Sequence, residues 1–360
     1  MVKYKDLLRE PMKTKPESKR AARQKSSSTP PHVYRMNYNE SPYGMSPKAA
    51  EALAKASERP FVYPDWFSIE LKSSIAEAFD MDFSNVAIGS GSSTLIDMLG
   101  EIFINAGDEV VFGDPSYEAF RDVANDYGAV PVPVPLDEDM CYNLDAMLAA
   151  ITDKTKMIIV CNPNNPTGTF VDSAKVEEFV RKVPDNVITV IDEAYIDFVK
   201  KENTYSMAKL VKEGYDKPLI VLRTFSKIYG MAGLRVGYAL TSPDLVEHLG
   251  KSSHAWNICT LSQIAAAEAI KDQEFVANVA DINAKERTRV TEELRALGCK
   301  VYDSETNFLL FEAKVEPSTI FAKLEEQDIL IGSPIGRNRV SLGTPEMNDK
   351  FIKVIKEILS

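Results

Sequence analysis

One arrangement recurs through the middle of this chain and restricts its fold more than any other feature. A short apolar run ends in a cluster of glycine, serine, asparagine or aspartate, and an amphipathic stretch follows. The runs at 85–88, 109–112, 156–161, 187–191, 219–222 and 235–240 are too short for helices and read as strands buried on both faces. The stretches at 68–79, from about 94, at 117–126 and at 173–181 carry the helical pattern between them. Alternating strands and helices predict an α/β fold, a mostly parallel sheet between layers of helices. In such sheets ligands sit beyond the carboxyl ends of the strands, and every polar cluster lies at such an end. Residues 130–134 carry Pro131 and Pro133, which suits an edge strand.

After Pro243 the pattern changes. Helices are expected at 244–251, over a long amphipathic run at 261–297 broken once near Asp272, at 317–327 and at 347–359. Short strands are expected at 300–302, 308–311 and 339–342. This predicts a large domain over 46–243 and a smaller α+β domain over 244–360, with 34–45 associated with the smaller one. Ser46 followed by Pro47 is a capping signal for a helix through Ala56. Residues 1–33 are basic and contain SSSTPP, with no apolar core of the kind a secretory signal has. They read as a flexible arm or a docking segment. Asp6, Glu10 and Glu17 fit poorly with a transit peptide.

The chain has 360 residues and a net charge of -11, which argues against general nucleic-acid binding. No apolar run approaches the roughly 20 residues of a membrane span. The four cysteines are widely separated and the three histidines scattered, so neither a metal site nor a redox pair is expected. Reduced cysteines and a cytoplasmic location follow as expectations.

The chemistry gathers at 223–238, RTFSKIYGMAGLRVGY. Lys227 follows a strand end, Gly230, Gly233 and Gly237 allow close backbone approach, and Thr224, Ser226 and Arg235 offer two hydroxyls and a permanent cation. An amine beside a phosphate pocket suits a covalent link to pyridoxal phosphate, and an exposed lysine after a strand is the alternative. The turn Gly89-Ser90-Gly91-Ser92-Ser93 opens a helix, where free N–H groups favour an anion. Asp192 ends an apolar strand, and a buried carboxylate there needs a cationic partner such as a protonated pyridine nitrogen; a helix cap or structural ion pair would also fit. Tyr195 and Asn165, the latter in the proline-stiffened NPNNPTG loop, can reach the phenolic oxygen of such a ring. Tyr117 can stack on a flat ring and Tyr63 can reach a phosphate, although core packing accounts for either alone. Arg339 begins a late strand, where it either clamps a carboxylate or faces solvent.

NPNNPTG, DEAY and SKIYGMAGLRVGY, in this order and spacing, resemble the fold-type I pyridoxal-phosphate aminotransferases. YNESPYG, VYPDW and RVSLGTPEMN look like the histidinol-phosphate aminotransferase branch, and the likeness covers about 34–360. The resemblance implies a fold-type I architecture and pyridoxal 5'-phosphate as cofactor. The cofactor lysine falls on Lys227, its pyridinium partner on Asp192, and the contacts to the phenolic oxygen on Tyr195 and Asn165. The phosphate cup falls on Gly91, Ser92, Ser93, Thr224, Ser226 and Arg235, and the stacking ring on Tyr117. Tyr63 matches a tyrosine that reaches the neighbouring subunit's phosphate, which implies a homodimer. Arg339, Asn39 and Tyr43 fall at substrate-binding positions, and Arg337 is a further substrate-binding candidate as a cation in place of an arginine of the branch.

Two arginines of the branch pattern are absent. Ser253 stands in SHAWN where an R-x-P-F-N pattern is usual, and Gly332 in DILIG where a G-I-x-V-R pattern is usual. The implied reaction moves an amino group between an L-amino acid or histidinol phosphate and a 2-oxo acid, with 2-oxoglutarate as the expected acceptor. Histidinol phosphate is the first substrate implied, and an aromatic amino acid the alternative. The same lysine and aspartate would also serve a lyase, racemase or oxidase. A non-catalytic binding protein is the reading from another class, and the intact lysine, aspartate and tyrosine set argues against it.

Overall fold

The structure is a computed structural model that describes residues 8–14, 30 and 32–360. Much of the basic 1–33 stretch therefore lies outside the described residues. Its described part includes a short helix, Glu10–Thr14. Beside that helix, Arg9 donates to the Asp126 carbonyl at 3.4 Å and lies over the Tyr127 ring.

The chain enters through β1 (Tyr34–Met36) and builds its main sheet from β2 (Val86–Gly89), β3 (Glu109–Asp114), β4 (Val130–Pro135), β5 (Thr155–Cys161), β6 (Ile188–Asp192), β7 (Leu219–Thr224) and β8 (Gly237–Thr241). The spatial order is β2-β8-β7-β6-β5-β3-β4. All neighbours run parallel except β8, which returns antiparallel between β7 and β2. The fold is α/β, with the predicted mostly parallel sheet. β6 and β7 are buried along their whole length, as strands covered on both faces must be. The proline-bearing β4 lies at one edge, where missing N–H donors cost nothing to a further neighbour. The strand expected at 235–240 starts only at Gly237, because Arg235 has left-handed backbone (φ 53°).

Ser46 caps the helix Pro47–Ala56 by accepting from the Ala49 N–H. The long helical run breaks at the buried Asp272 into Thr260–Lys271 and Gln273–Ala296. The first half of the second helix packs Val276, Val279 and Ala280 into the core of the main sheet. Its second half packs Val290 and Leu294 into a separate core. That second core lies against β9 (Lys300–Val301), β10 (Phe308–Glu312), β11 (Ile329–Ile331) and β12 (Asn338–Ser341). Strands β12-β10-β9 form an antiparallel sheet, and β1 pairs parallel with β11. The apolar packing thus passes from one core to the other inside the long helix. Pairing of β1 with β11 returns the N-terminal segment to the C-terminal unit and leads residues 37–45 across the end of the main sheet.

Candidate active site

The carboxyl ends of β5, β6 and β7 and the N-terminus of the Ser92–Phe103 helix converge on a cavity of about 240 Å³. Ser92, Ser93, Tyr117, Asn165, Asp192, Tyr195, Thr224, Ser226, Lys227 and Arg235 all line it. Tyr38, Glu40, Cys161, Ala194 and Ala232 complete the wall. Five of the sequence clusters, remote from one another along the chain, are therefore brought to one place.

One end of the cavity is built for an anion. Gly91 takes φ 87°, and a Cβ there would meet an Arg235 guanidinium nitrogen at 2.3 Å. A Cβ on Gly237 would meet the Ser92 backbone nitrogen at 2.3 Å. Gly237 is required by close approach of backbone, and Gly91 by its positive φ. Arg235 donates to Ser226 Oγ at 3.2 Å and to the Ala232 carbonyl at 3.1 Å. Thr224 Oγ1 accepts from the Ser226 N–H at 3.1 Å, which fixes the hydroxyl pair. A 12-residue helix points its first N–H groups into the same corner. Ser93 Oγ and the Tyr117 hydroxyl lie 3.0 Å apart and hold each other in place.

The floor is Asp192, 2% exposed. Its carboxylate has one hydrogen-bond partner among the described residues, the Ala194 N–H at 3.0 Å. Burial raises its carboxyl to about 6, opposed in part by that N–H and by Lys227. A buried carboxylate so poorly satisfied calls for a cation. Lys227 Nζ donates to the Tyr38 carbonyl at 3.1 Å and lies over the Tyr195 ring. Burial lowers its amine to about 8, helped first by Arg339 and less by Arg235, and opposed by Glu40 and Asp192. Arg339, rather than Arg235, is therefore the main charge acting on the lysine.

Tyr195 packs edge-on to Phe308 and accepts from Asn39 Nδ2 at 3.0 Å. Arg339 donates to Asn165 Oδ1 at 2.6 Å and to the Asn37 carbonyl at 2.9 Å. Its buried Nε has no partner among the described residues. Gly332, in the DILIG stretch, lies against the same guanidinium.

Six residues singled out in the sequence do not line the cavity: Gly91 and Arg339 stand behind the wall residues Arg235 and Asn165, and four more are engaged elsewhere. Arg337 is the clearest correction: β10 and β12 bring Glu312 opposite it, and its Nε donates to Glu312 at 2.8 Å. A cross-strand ion pair holds it away from the site. Asn39 is buried and ties Tyr195 to Ser341, whose hydroxyl donates to Asn39 Oδ1 at 3.0 Å and accepts from the Asn39 N–H at 2.9 Å. Tyr43 donates to the Gly343 carbonyl at 3.4 Å. Tyr63 is 75% exposed and stacks on Trp256 at 4.6 Å. Sequence reasoning missed Glu40 and Tyr38 as wall residues. The signal was their place in YNESPYG beside Asn39, whose left-handed backbone (φ 56°) turns the segment over the cavity.

The donor set fits pyridoxal phosphate. An amine, a cation-seeking carboxylate, an anion corner and a half-buried tyrosine surround one cavity. Among the described residues no helix is long and apolar enough to cross a membrane, and no group of three or more His, Cys, Asp or Glu is placed to hold a metal ion.

Comparison with known proteins agrees with the geometry. The model of the family "Aminotransferase class I and II" matches residues 31–355. A histidinol-phosphate aminotransferase of Moorella thermoacetica is 37% identical over 333 residues, covering 91% of this chain and 86% of the relative. An aromatic amino acid aminotransferase of Mycobacteroides abscessus is 42% identical over 326 residues, covering 90% and 92%. The crystal structure of histidinol-phosphate aminotransferase from Sinorhizobium meliloti in complex with pyridoxal-5'-phosphate superposes with a TM-score of 0.85 at 26% identity, covering 91% of this chain and 90% of that one.

Proposed function

The chain belongs to the class I and II aminotransferases, in the branch similar to histidinol-phosphate aminotransferases, and depends on pyridoxal phosphate; from that premise we infer that it moves an amino group from an L-amino acid to a 2-oxo acid, with 2-oxoglutarate as acceptor. The observation that carries the amino-acid donor is Arg339. It stands behind the wall residue Asn165, its buried Nε has no partner among the described residues, and its charge lowers the reacting amine. A planar guanidinium with a free N–H suits a carboxylate.

Pyridoxal phosphate, when bound, supplies an electron sink for the carbon that loses its proton. Lys227 holds the cofactor and, once freed, carries the proton from the substrate α-carbon. An amine near 8 is available as a base close to neutral pH. Asp192 would hold a proton on the ring nitrogen and so gain the cation that its buried carboxylate lacks. Tyr195 and Asn165 would hold the phenolic oxygen and Tyr117 the ring, and Gly91 leaves room for Arg235. Ser92, Ser93, Thr224, Ser226 and Arg235 hold the phosphate.

Tyr63 completes the partner subunit's phosphate site in a homodimer. Its support is an exposed aromatic surface, in which Phe61, Tyr63, Trp66, Phe67 and Trp256 are 44% to 80% exposed. The division into a cofactor-holding unit, 46–243, and a smaller unit, 244–360, closed by 34–45, belongs to the same reading. The pairing of β1 with β11 supports it. Four free cysteines accord with a cytoplasmic setting. A second reading, histidinol phosphate as donor, draws on the named relatives and on Arg35, a cation next to the wall residue Glu40.

The test is the visible absorption of the reconstituted protein with glutamate, aromatic amino acids, basic amino acids and histidinol phosphate in turn. A band that changes with one donor, returns with 2-oxoglutarate and yields the matching oxo product is expected. Absence of any band after reconstitution overturns the reading.

A further inference from the structure

Residues 37–40 cross the cavity as a strap whose backbone is fixed at each step. The Asn37 carbonyl accepts from Arg339 and the Tyr38 carbonyl from Lys227. The Asn39 side chain is locked between Tyr195 and Ser341, and Asn307 Nδ2 donates to the Asn39 carbonyl at 3.1 Å. Glu40 follows at once and lines the cavity. Its two carboxylate oxygens accept from Arg35 Nε at 3.0 Å and from a terminal Arg35 nitrogen at 2.7 Å. Arg35 is itself anchored, since β1 pairs it with Leu330, and its guanidinium covers the Tyr38 ring at 5.6 Å. The pair is about one-third exposed, 35% for Arg35 and 34% for Glu40, so the carboxylate is held in place yet reachable.

The remaining charges around the cavity already have tasks in the proposed reaction. Arg235 belongs to the anion corner, Asp192 to the ring nitrogen, Lys227 to proton transfer and Arg339 to the α-carboxylate. Glu40 is the charged group left to meet the donor's side chain. A carboxylate accepts hydrogen bonds and gives none. A site built to accept from a substrate N–H or O–H discriminates strongly against analogues that lack it.

We propose that Glu40 is a specificity-determining residue that accepts a hydrogen bond from an N–H or O–H on the donor's ring, as in a phenol or an imidazole, and that Arg35 is the positioning residue that aims it. This rests on the aminotransferase reading for the place of the α-carboxylate, but its test does not require turnover. Calorimetry on the reconstituted full-length protein would compare three unreactive acids: 3-(4-hydroxyphenyl)propionate, 3-(imidazol-4-yl)propionate and 3-phenylpropionate. The expected result is about tenfold tighter binding of the phenol or the imidazole acid than of the phenyl acid. Which of the two wins separates a tyrosine-like donor from a histidine-like one. In Glu40→Gln the preference should fall to near one, because the amide is a weaker, uncharged acceptor. Arg35→Gln should shrink it as well, and serves alone if Glu40→Gln does not fold. No preference in the parent protein, or a preference that survives both substitutions, overturns the proposal. Failure to transaminate any donor while the preference holds would instead count against the proposed reaction alone.

Discussion

Two carboxylates follow one another at the end of β6 and meet opposite conditions. Asp192 faces the smaller cavity with one N–H partner among the described residues. Glu193 accepts from Ser206 Oγ at 2.5 Å, from the Met207 N–H at 2.7 Å and from Arg223 at 3.2 Å. Arg223 also binds Asp197 at 2.5 Å and packs over the Phe79 ring. The partners of Glu193 in that set, Ser206 and Arg223, line a larger cavity of about 510 Å³ together with Asp197. Burial raises both carboxyls, but the groups around Glu193 compensate it within the chain, and those around Asp192 do not. The larger cavity is therefore walled by satisfied charges, and the smaller one by charges that await a ligand. Unsatisfied polarity, not volume, marks the site.

The largest effect should come from the amine. Lys227→Ala is expected to lower kcat by about 10^4-fold or more, because one group serves as anchor and base. Near-normal transamination by that variant would dissolve the distinction between the two cavities.

The paired carboxylates then allow a direct contrast. Asp192→Asn should cost about 10^3-fold in kcat. It should also stabilise the cofactor-free protein, since the folded carboxyl titrates near 6 and the ordinary value is 3.8. A group raised in the folded state destabilises it above the folded value and ceases to do so below the unfolded one. The gain should be roughly 3 kcal/mol at pH 8 and vanish near pH 4 in denaturant melts. Glu193→Gln should behave the other way, losing roughly 3 kcal/mol because Arg223 keeps only one carboxylate. It should still bind cofactor, as read by visible absorption. Equal behaviour of the two variants would erase the contrast.

The sequence could be read where chemistry and local pattern coincide. Lys227, Asp192 and Asn165 each follow an apolar run, and the parallel sheet carries such ends to one edge without further information. What lay beyond reach depends on remote pairing. β1 is three residues long and has no local signal, because its partner β11 is supplied from the far end of the chain. Hence YNESPYG was legible only as a family-like motif, and its glutamate went unnoticed. Arg337 and Arg339 sit two apart, yet only the register against β10 tells that Glu312 takes the first and leaves the second to Asn165 in the cavity wall. Tyr63 is exposed, and a single chain gives its proposed role no partner.

The smallest effect concerns the pH of cofactor capture. Lys227 must be uncharged to attack, and its amine titrates near 8 under the joint action of burial and Arg339. After cofactor-free protein is mixed with pyridoxal phosphate, the rise in visible absorption should speed up about tenfold per pH unit below 8 and level off above it. A plateau reached only above about pH 10 would place Lys227 among ordinary surface lysines. The comparison between the two faces of β6 sharpens the expectation. Asp192 raises the Lys227 value, so Asp192→Asn should move the plateau to lower pH. Glu193 is not among the groups acting on Lys227, so Glu193→Gln should leave the plateau in place. A shift with the second variant and none with the first would mean that the face of β6 coupled to the reacting amine is not the one that borders the cavity.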